Sequence, residues 1–104
     1  MAPAAALFRS LSDPSRLTIL AHLMLGEHKV VELTEHLGLS QSTVSAHLKC
    51  LLECGLVQMR AEGRASMYSI AADRDMTDVL MAAERLPLAT GDAAVLCSSP
   101  DRHR

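Results

Sequence analysis

Glycines at positions 26, 38, 55 and 63 divide the middle of this 104-residue chain into short segments, which limits the folds that it can adopt. The segments that end at Gly26, Gly38 and Gly55 carry apolar residues at helical spacing, and glycine commonly follows the end of a helix. After Gly55 the apolar period becomes that of strands, and Gly63 lies in the turn between two of them. The pattern predicts a mainly α fold with one β-hairpin.

The predicted elements follow one another closely along the chain. Asp13-Pro14 is typical of a helix start, with aspartate as the N-cap and proline at the first helical position. We expect helices over 3–11, 14–25, 30–37, 41–54 and 73–86, the last one stopped by Pro87, and strands over 56–61 and 65–70. A helix, a short turn, a second helix and a hairpin in this order indicate a winged helix-turn-helix. We expect it to form one domain over 1–87, followed by a tail over 88–104.

Length and composition favour a homodimer that stays in the cytoplasm. The residues are 49% hydrophobic and only 2% aromatic, so the core must be aliphatic. So short a chain buries a modest share of its surface, and a second copy would bury more. The apolar faces of the first and fifth predicted helices would supply the interface, with Leu7, Leu11, Val79, Leu80 and Ala83. No apolar run is long enough for a membrane span or resembles a signal peptide.

The predicted helix over 41–54 has the features of a DNA-recognition helix. Ser40 is a suitable N-cap, and Val44, Leu48, Leu51 and Leu52 form a buried stripe. The opposite stripe is polar, and small hydroxyls and an amide near a helix N-terminus suit base edges in a major groove. A solvated helix face is the plainer interpretation, but the hairpin adds cations that could touch phosphate. The predicted DNA-binding residues are Gln41, Ser42, Ser45, His47, Lys49, Arg60 and Arg64.

Cys50 and Cys54 lie four residues apart on this helix, on a face that avoids both the buried and the polar stripe. Two thiolates and a third soft donor suit Cd(II), Pb(II), Zn(II) or As(III), and Cys97 in the tail is the natural third donor. His47 could be a fourth ligand, although packing or DNA contact explains it more simply. A buried cysteine can also be just a small apolar residue. A third interpretation is a redox switch in which Cys50 and Cys54 oxidise.

The remaining features give no reason to expect an enzyme. No histidine or carboxylate is clearly placed to activate Cys50 or Cys54 as a nucleophile, and no phosphate-binding glycine loop is present. Four further histidines show no ligand spacing with one another, and we interpret them as surface or satisfied side chains: His22, His28, His36 and His103. The net charge of −2 is unusual for a DNA-binding chain, but the acids crowd outside the segment from 40 to 69.

The segments 11–20, 33–39, 40–48 and 55–57 closely resemble the ArsR/SmtB metalloregulators, and the likeness runs over about residues 7–72. It implies a homodimeric winged-helix repressor that leaves a palindromic operator DNA when it binds metal. Residues 50–57 are similar to the cadmium- and lead-sensing branch, which implies Cys50, Cys54 and Cys97 as the ligands of Cd(II) or Pb(II). Branches with Cys-Val-Cys before the recognition helix or histidines on the last helix are not matched. As(III) or Sb(III) bound by the same sulfurs remains an alternative.

Overall fold

The structure is a computed structural model that describes residues 1–89. The first compact unit is Met1–Asp73, and a second begins at Arg74. The helices are α1 (Ala2–Leu11), α2 (Pro14–Leu23), α3 (Val30–Leu37), α4 (Gln41–Glu53) and α5 (Asp73–Ala89), and the strands are β1 (Val57–Glu62) and β2 (Ala65–Ile70). Cys97 and all but the first two residues of the expected tail lie outside the described residues.

Local sequence signals account for the helix ends of the first unit. The Asp13 carboxylate accepts a hydrogen bond of 3.1 Å from the backbone N–H of Arg16 and caps α2, with Pro14 at the first helical position. Gly38 ends α3 in the left-handed region at φ 67°, a conformation that glycine adopts without steric penalty. Ser40 Oγ then accepts from the N–H of Thr43 and caps α4 after a short connection.

The hairpin forms as the sequence predicts. β1 and β2 pair antiparallel in one register, from Val57 opposite Ile70 to Glu62 opposite Ala65. The two residues between them are Gly63 and Arg64, and Gly63 has a φ of 62°. Glycine with positive φ at the first loop position is typical of a tight type II′ turn.

The core of the first unit is aliphatic and lies mainly between α2, α3 and α4. Its fully buried large side chains are Ile19, Leu20, Leu33, Val44, Leu48 and Leu51. Three of these belong to α4, so one face of that helix is fixed against α2 and α3 while the opposite face is turned outward. The hairpin follows α4 directly, which confirms the predicted winged helix-turn-helix.

Two expectations about the ends of the chain need correction. We expected Leu11 in the interface with a partner subunit, but it is only 8% exposed and belongs to the protomer's own core. Pro87 does not stop α5, which continues to Ala89 with the proline inside it. Proline lacks the N–H of one helical bond and its ring crowds the carbonyl four residues earlier, but its fixed φ is itself helical, and α5 continues for two residues past it. Within residues 1–89, no helix is long and apolar enough to span a bilayer.

Candidate metal centre and nucleic-acid interface

The N-terminal half of α4 presents a polar, exposed face. Ser40 Oγ lies 2.8 Å from Thr43 Oγ1 and 3.2 Å from Ser42 Oγ, so the hydroxyls are partly linked to each other. The predicted groove-facing residues Gln41, Ser42, Ser45 and Lys49 are all exposed. Because Val44 and Leu48 are fully buried behind them, the direction in which this face points is fixed by the core. Their part in DNA binding remains a prediction.

His47 occupies a different face from the other predicted DNA-binding residues of α4. Its Nε2 lies 3.9 Å from the Asp13 carboxylate, and its side chain is only 18% exposed. The N–H of Arg16, and to a lesser degree His47, lower the pKa of Asp13, although partial desolvation opposes them. The structure therefore places His47 against the start of α2, on the side of α4 that carries the thiols.

The two hairpin arginines lie in contrasting surroundings. Arg60 donates from Nε and Nη2 to the two carboxylate oxygens of Glu27, at 2.7 and 2.8 Å, and from Nη2 to Glu62 at 2.9 Å. The hydrogen bonds from Arg60 lower the pKa of Glu27 below its usual range. Arg64 is exposed and makes no hydrogen bond or ion pair with any residue in 1–89. Of the two predicted phosphate contacts, only Arg64 has its charge uncompensated in this structure.

The thiols lie where the end of α4 meets α1. Cys50 is half-buried and Cys54 is exposed, and both are free thiols. Cys54 Sγ is 3.0 Å from the hydroxyl of Ser10, a buried residue of α1. Ser10 Oγ donates its single hydrogen to the Ala6 carbonyl at 3.1 Å, so the Cys54 thiol supplies the hydrogen of the sulfur–oxygen contact. This contact therefore links the end of α4 directly to α1.

Burial raises the pKa of the Cys50 thiol, and the neighbouring Cys54 raises it further, whereas Arg16 partly opposes this. Arg16 is held in place because its Nε donates to the Ser10 carbonyl at 2.6 Å. In the absence of metal, Cys50 is therefore a protonated thiol at neutral pH. A soft ion must displace that proton, since only the thiolate is a good ligand.

The candidate metal centre contains two sulfur donors among the described residues. Within residues 1–89, no three histidine, cysteine, aspartate or glutamate side chains are arranged as a metal site. A cavity of about 280 Å³ opens beside Cys54 between α1 and the residues that follow α4, lined by Pro3, Ala6, Leu7, Ser10, Cys54 and Leu56. The donor chemistry and the open side of Cys54 fit a soft ion that takes a further ligand from elsewhere in the chain.

Sequence reasoning missed the residues that surround the predicted ones. Ser10 is 44 positions from Cys54, and Glu27 is 33 positions from Arg60. Neither separation has a periodic signature, because each contact depends on how whole elements pack. Only the small polar character of Ser10 in an apolar helix could have drawn attention to it.

Comparison with known proteins decides the family. The sequence profile described as "Bacterial regulatory protein, arsR family" matches residues 13–59. A probable mercury resistance operon repressor of Streptomyces lividans is 43% identical over 89 residues, which cover 86% of this chain and 69% of that protein. The chain belongs to the arsR family. As an arsR-family protein it is a DNA-binding transcriptional regulator and not an enzyme.

Two further proteins are similar to this chain in sequence and fold. The regulator CmtR of Mycobacterium tuberculosis is 48% identical over 67 residues, which are 64% of this chain and 57% of CmtR. The solution structure of this cadmium sensor superposes with a TM-score of 0.61 at 43% identity, over 71% of this chain and 80% of that one. A homodimeric winged helix-turn-helix domain of Mycobacterium bovis gives a TM-score of 0.73 at 31% identity, over 81% of this chain and 77% of that one.

Proposed function

We propose that this arsR-family chain is a transcriptional repressor that binds a palindromic operator as a homodimer in its metal-free form and is released by Cd(II) or Pb(II). The observation that carries the proposal is the position of Cys50 and Cys54. They lie on the helix whose opposite face is exposed for DNA, and Cys54 touches Ser10 of α1 at 3.0 Å. Ligand binding at these sulfurs therefore acts on the DNA-reading element itself.

The DNA-binding side of the proposal rests on α4 and the hairpin turn. Gln41, Ser42 and Ser45 would meet base edges, because amide and hydroxyl groups both donate and accept hydrogen bonds there. Lys49 and Arg64 would contact phosphates and supply affinity that depends on salt. A palindromic operator requires two copies of α4 related by a two-fold axis. The homodimeric domain from M. bovis supports such an assembly for this fold.

The metal-binding side combines Cys50 and Cys54 with Cys97 as a third thiolate. Cd(II) and Pb(II) are soft ions that prefer sulfur, and the cadmium sensor CmtR is 48% identical to this chain over the shared region. Three thiolates around a divalent ion would carry one net negative charge. Because its pKa is raised, Cys50 keeps its proton at neutral pH until a metal ion displaces it, so binding should weaken as the pH falls.

Ser10 connects the thiols to the rest of the protein. When Cys54 becomes a thiolate it loses the hydrogen that it shares with Ser10 Oγ, and it then needs a donor rather than an acceptor. Ser10 can provide one only by withdrawing its hydrogen from the Ala6 carbonyl. The contact between α1 and α4 changes whether the Cys54–Ser10 hydrogen bond is simply lost or the Ser10 hydroxyl turns from Ala6 to Cys54. Coupling between ligand and DNA sites is typically about 1–3 kcal/mol, and DNA should weaken metal binding by the same factor.

Hg(II) is a second candidate inducer, favoured by the relative in S. lividans, which is called a probable mercury resistance operon repressor. Hg(II) is satisfied by two thiolates, whereas Cd(II) and Pb(II) take more ligands. Cys50 and Cys54 alone would then suffice, and Cys97 would be dispensable. The two inducers thus make opposite predictions for Cys97→Ser.

In vitro transcription from a promoter that contains the operator tests the function. The operator can be obtained by selecting bound duplexes from a random library. We expect repression without metal and transcription on addition of Cd(II) or Pb(II), with the response lost in Cys97→Ser. Release by Hg(II) that survives Cys97→Ser would favour the second candidate. Release only by As(III) or Sb(III), or only by peroxide in the presence of a chelator, would replace the proposal with an arsenic or redox switch.

A further inference from the structure

Three histidines that are far apart in sequence gather at one place outside α4. His22 lies in the last turn of α2, His28 in the segment before α3, and His36 in the last turn of α3. Their ring centres are 5.2 Å apart for His22 and His36, 5.7 Å for His28 and His36, and 6.4 Å for His22 and His28. Their spacing along the chain does not group them, since none has ligand spacing with another.

These distances are close to those of three imidazoles around one metal ion. The Zn–N bond is about 2.0–2.1 Å, which puts each ring centre roughly 3.2 Å from the ion. Tetrahedral angles then place the ring centres about 5 Å from one another. Two of the three separations are within about 0.7 Å of this value, and the third requires a small approach.

The hydrogen bonds of two rings fix the tautomer that a metal requires. His22 Nδ1 lies 3.0 Å from the Thr18 carbonyl, and His28 Nδ1 lies 2.8 Å from the Gly26 carbonyl. A carbonyl oxygen can only accept, so both Nδ1 atoms carry the hydrogen. In each neutral ring Nε2 therefore holds the lone pair. Histidines that bind metals are usually oriented in this way, by donation of the other ring N–H to a carbonyl or carboxylate.

The backbones that carry the three rings are held in place. His28 forms an isolated bridge with Tyr68 of β2, with N–H to carbonyl distances of 3.0 and 2.9 Å. His22 and His36 belong to helices whose Ile19, Leu20 and Leu33 are fully buried. His36 is exposed and makes no hydrogen bond within residues 1–89, so its ring is free to turn. As the side chains lie, the rings of His22 and His36 are stacked at 30° and no three donors converge.

We propose that His22, His28 and His36 form a second metal site, chemically distinct from the thiols, that closes around a Zn(II)-, Ni(II)- or Cu(II)-type ion when the His36 ring turns its nitrogen inward. Imidazole nitrogens bind these ions more readily than they bind soft ions, which prefer sulfur. The site would tie α2, the α2–α3 segment and α3 together. It contains no residue of α4, and so it stands independently of the proposed release by Cd(II) or Pb(II).

The test uses the full chain with Cys50, Cys54 and Cys97 all changed to serine, so that no thiol contributes. Zn(II) is titrated against a chromophoric chelator, and imidazole nitrogens are followed by long-range ¹H–¹⁵N NMR. We expect one Zn(II) per chain and a joint shift of the three Nε2 resonances, while the Nδ1 hydrogens of His22 and His28 are kept. His36→Gln should lower the affinity at least about tenfold.

His47→Gln serves as the matched control, because it removes a histidine that lies elsewhere, beside Asp13. It should not change Zn(II) affinity. Zn(II) should also raise the melting temperature of the thiol-free chain but not of its His36→Gln form. Circular dichroism of the metal-free His36→Gln form checks that it folds, as expected for a change at an exposed side chain. Unchanged affinity in His36→Gln, or Nε2 shifts confined to one ring, would overturn the proposal.

Discussion

Arg60 and Arg64 share one hairpin, and replacing each with alanine should have different effects on DNA binding. Arg60 is bound by Glu27 through two hydrogen bonds of 2.7 and 2.8 Å and by Glu62 through a third of 2.9 Å. A phosphate would have to displace these carboxylates. Arg64, in the turn, has no such partner within residues 1–89. We expect Arg64 to contact phosphate and Arg60 to contribute little.

The size of the difference follows from counterion release. Each phosphate contact changes the slope of log K against log salt by about −0.9, and a homodimer carries two copies of each arginine. Arg64→Ala should therefore flatten the slope by about 1.8. Over a fourfold rise in salt, from about 50 to about 200 mM, the affinity of the unmodified protein should fall by a factor roughly 12 times larger than that of this variant. For Arg60→Ala the slope should hardly change.

Fluorescence anisotropy with a labelled operator duplex, measured over a series of salt concentrations, gives both slopes. Glu27→Gln is an informative companion, since it frees Arg60 from its strongest partner and should steepen the slope. If Arg60→Ala flattens the slope as much as Arg64→Ala, the ion pair opens when DNA binds, and the reasoning from the compensated charge is wrong.

Three further predictions concern stability and protonation. Leu33→Ala should lower the free energy of unfolding in urea by about 2–5 kcal/mol, because Leu33 is fully buried, whereas Val31→Ala, at a side chain 55% exposed, should change it by less than about 0.5 kcal/mol. Gly38→Ala should lower the same free energy by about 1–2 kcal/mol, since its φ of 67° is unfavourable for alanine; an unchanged urea midpoint would contradict this. Burial raises the pKa of Cys50 in the folded state, so its neutral thiol stabilises the fold below the unfolded-state pKa. This stability is lost as the pH rises through the higher folded-state pKa. In Cys50→Ala, urea unfolding under reducing conditions should therefore show a smaller loss of stability at alkaline pH than in the unmodified protein.

Most helix and strand ends could be predicted because their signals are local. Asp13 and Ser40 cap α2 and α4 within three residues of their own positions, and Gly38 and Gly63 adopt the positive φ that their places in the chain require. Pro87 shows the limit of such signals. Proline removes one helical bond and crowds the preceding turn, which favours a helix end, but its φ is compatible with a helix, and here α5 continues past Pro87 to Ala89.

The contacts around the candidate site could not be predicted, because they join elements that are distant in sequence. The helical period placed Cys50 and Cys54 on one face of α4, but only the packing of α1 brings Ser10 to the sulfur of Cys54. In the same way, the hairpin marks Arg60 as a cation, whereas the position of Glu27 decides that its charge is compensated. The three clustered histidines have no sequence signature, since each comes from a different segment.

In the proposed switch, binding of a soft ion to the thiols of α4 weakens the binding of operator DNA. The most direct test is the affinity for operator DNA with and without Cd(II), in the unmodified protein and in the Cys50→Ser/Cys54→Ser double variant. We expect Cd(II) to weaken operator binding by about 5–150-fold in the unmodified protein and to leave the double variant unchanged. Equal release of both proteins by Cd(II) would contradict the account.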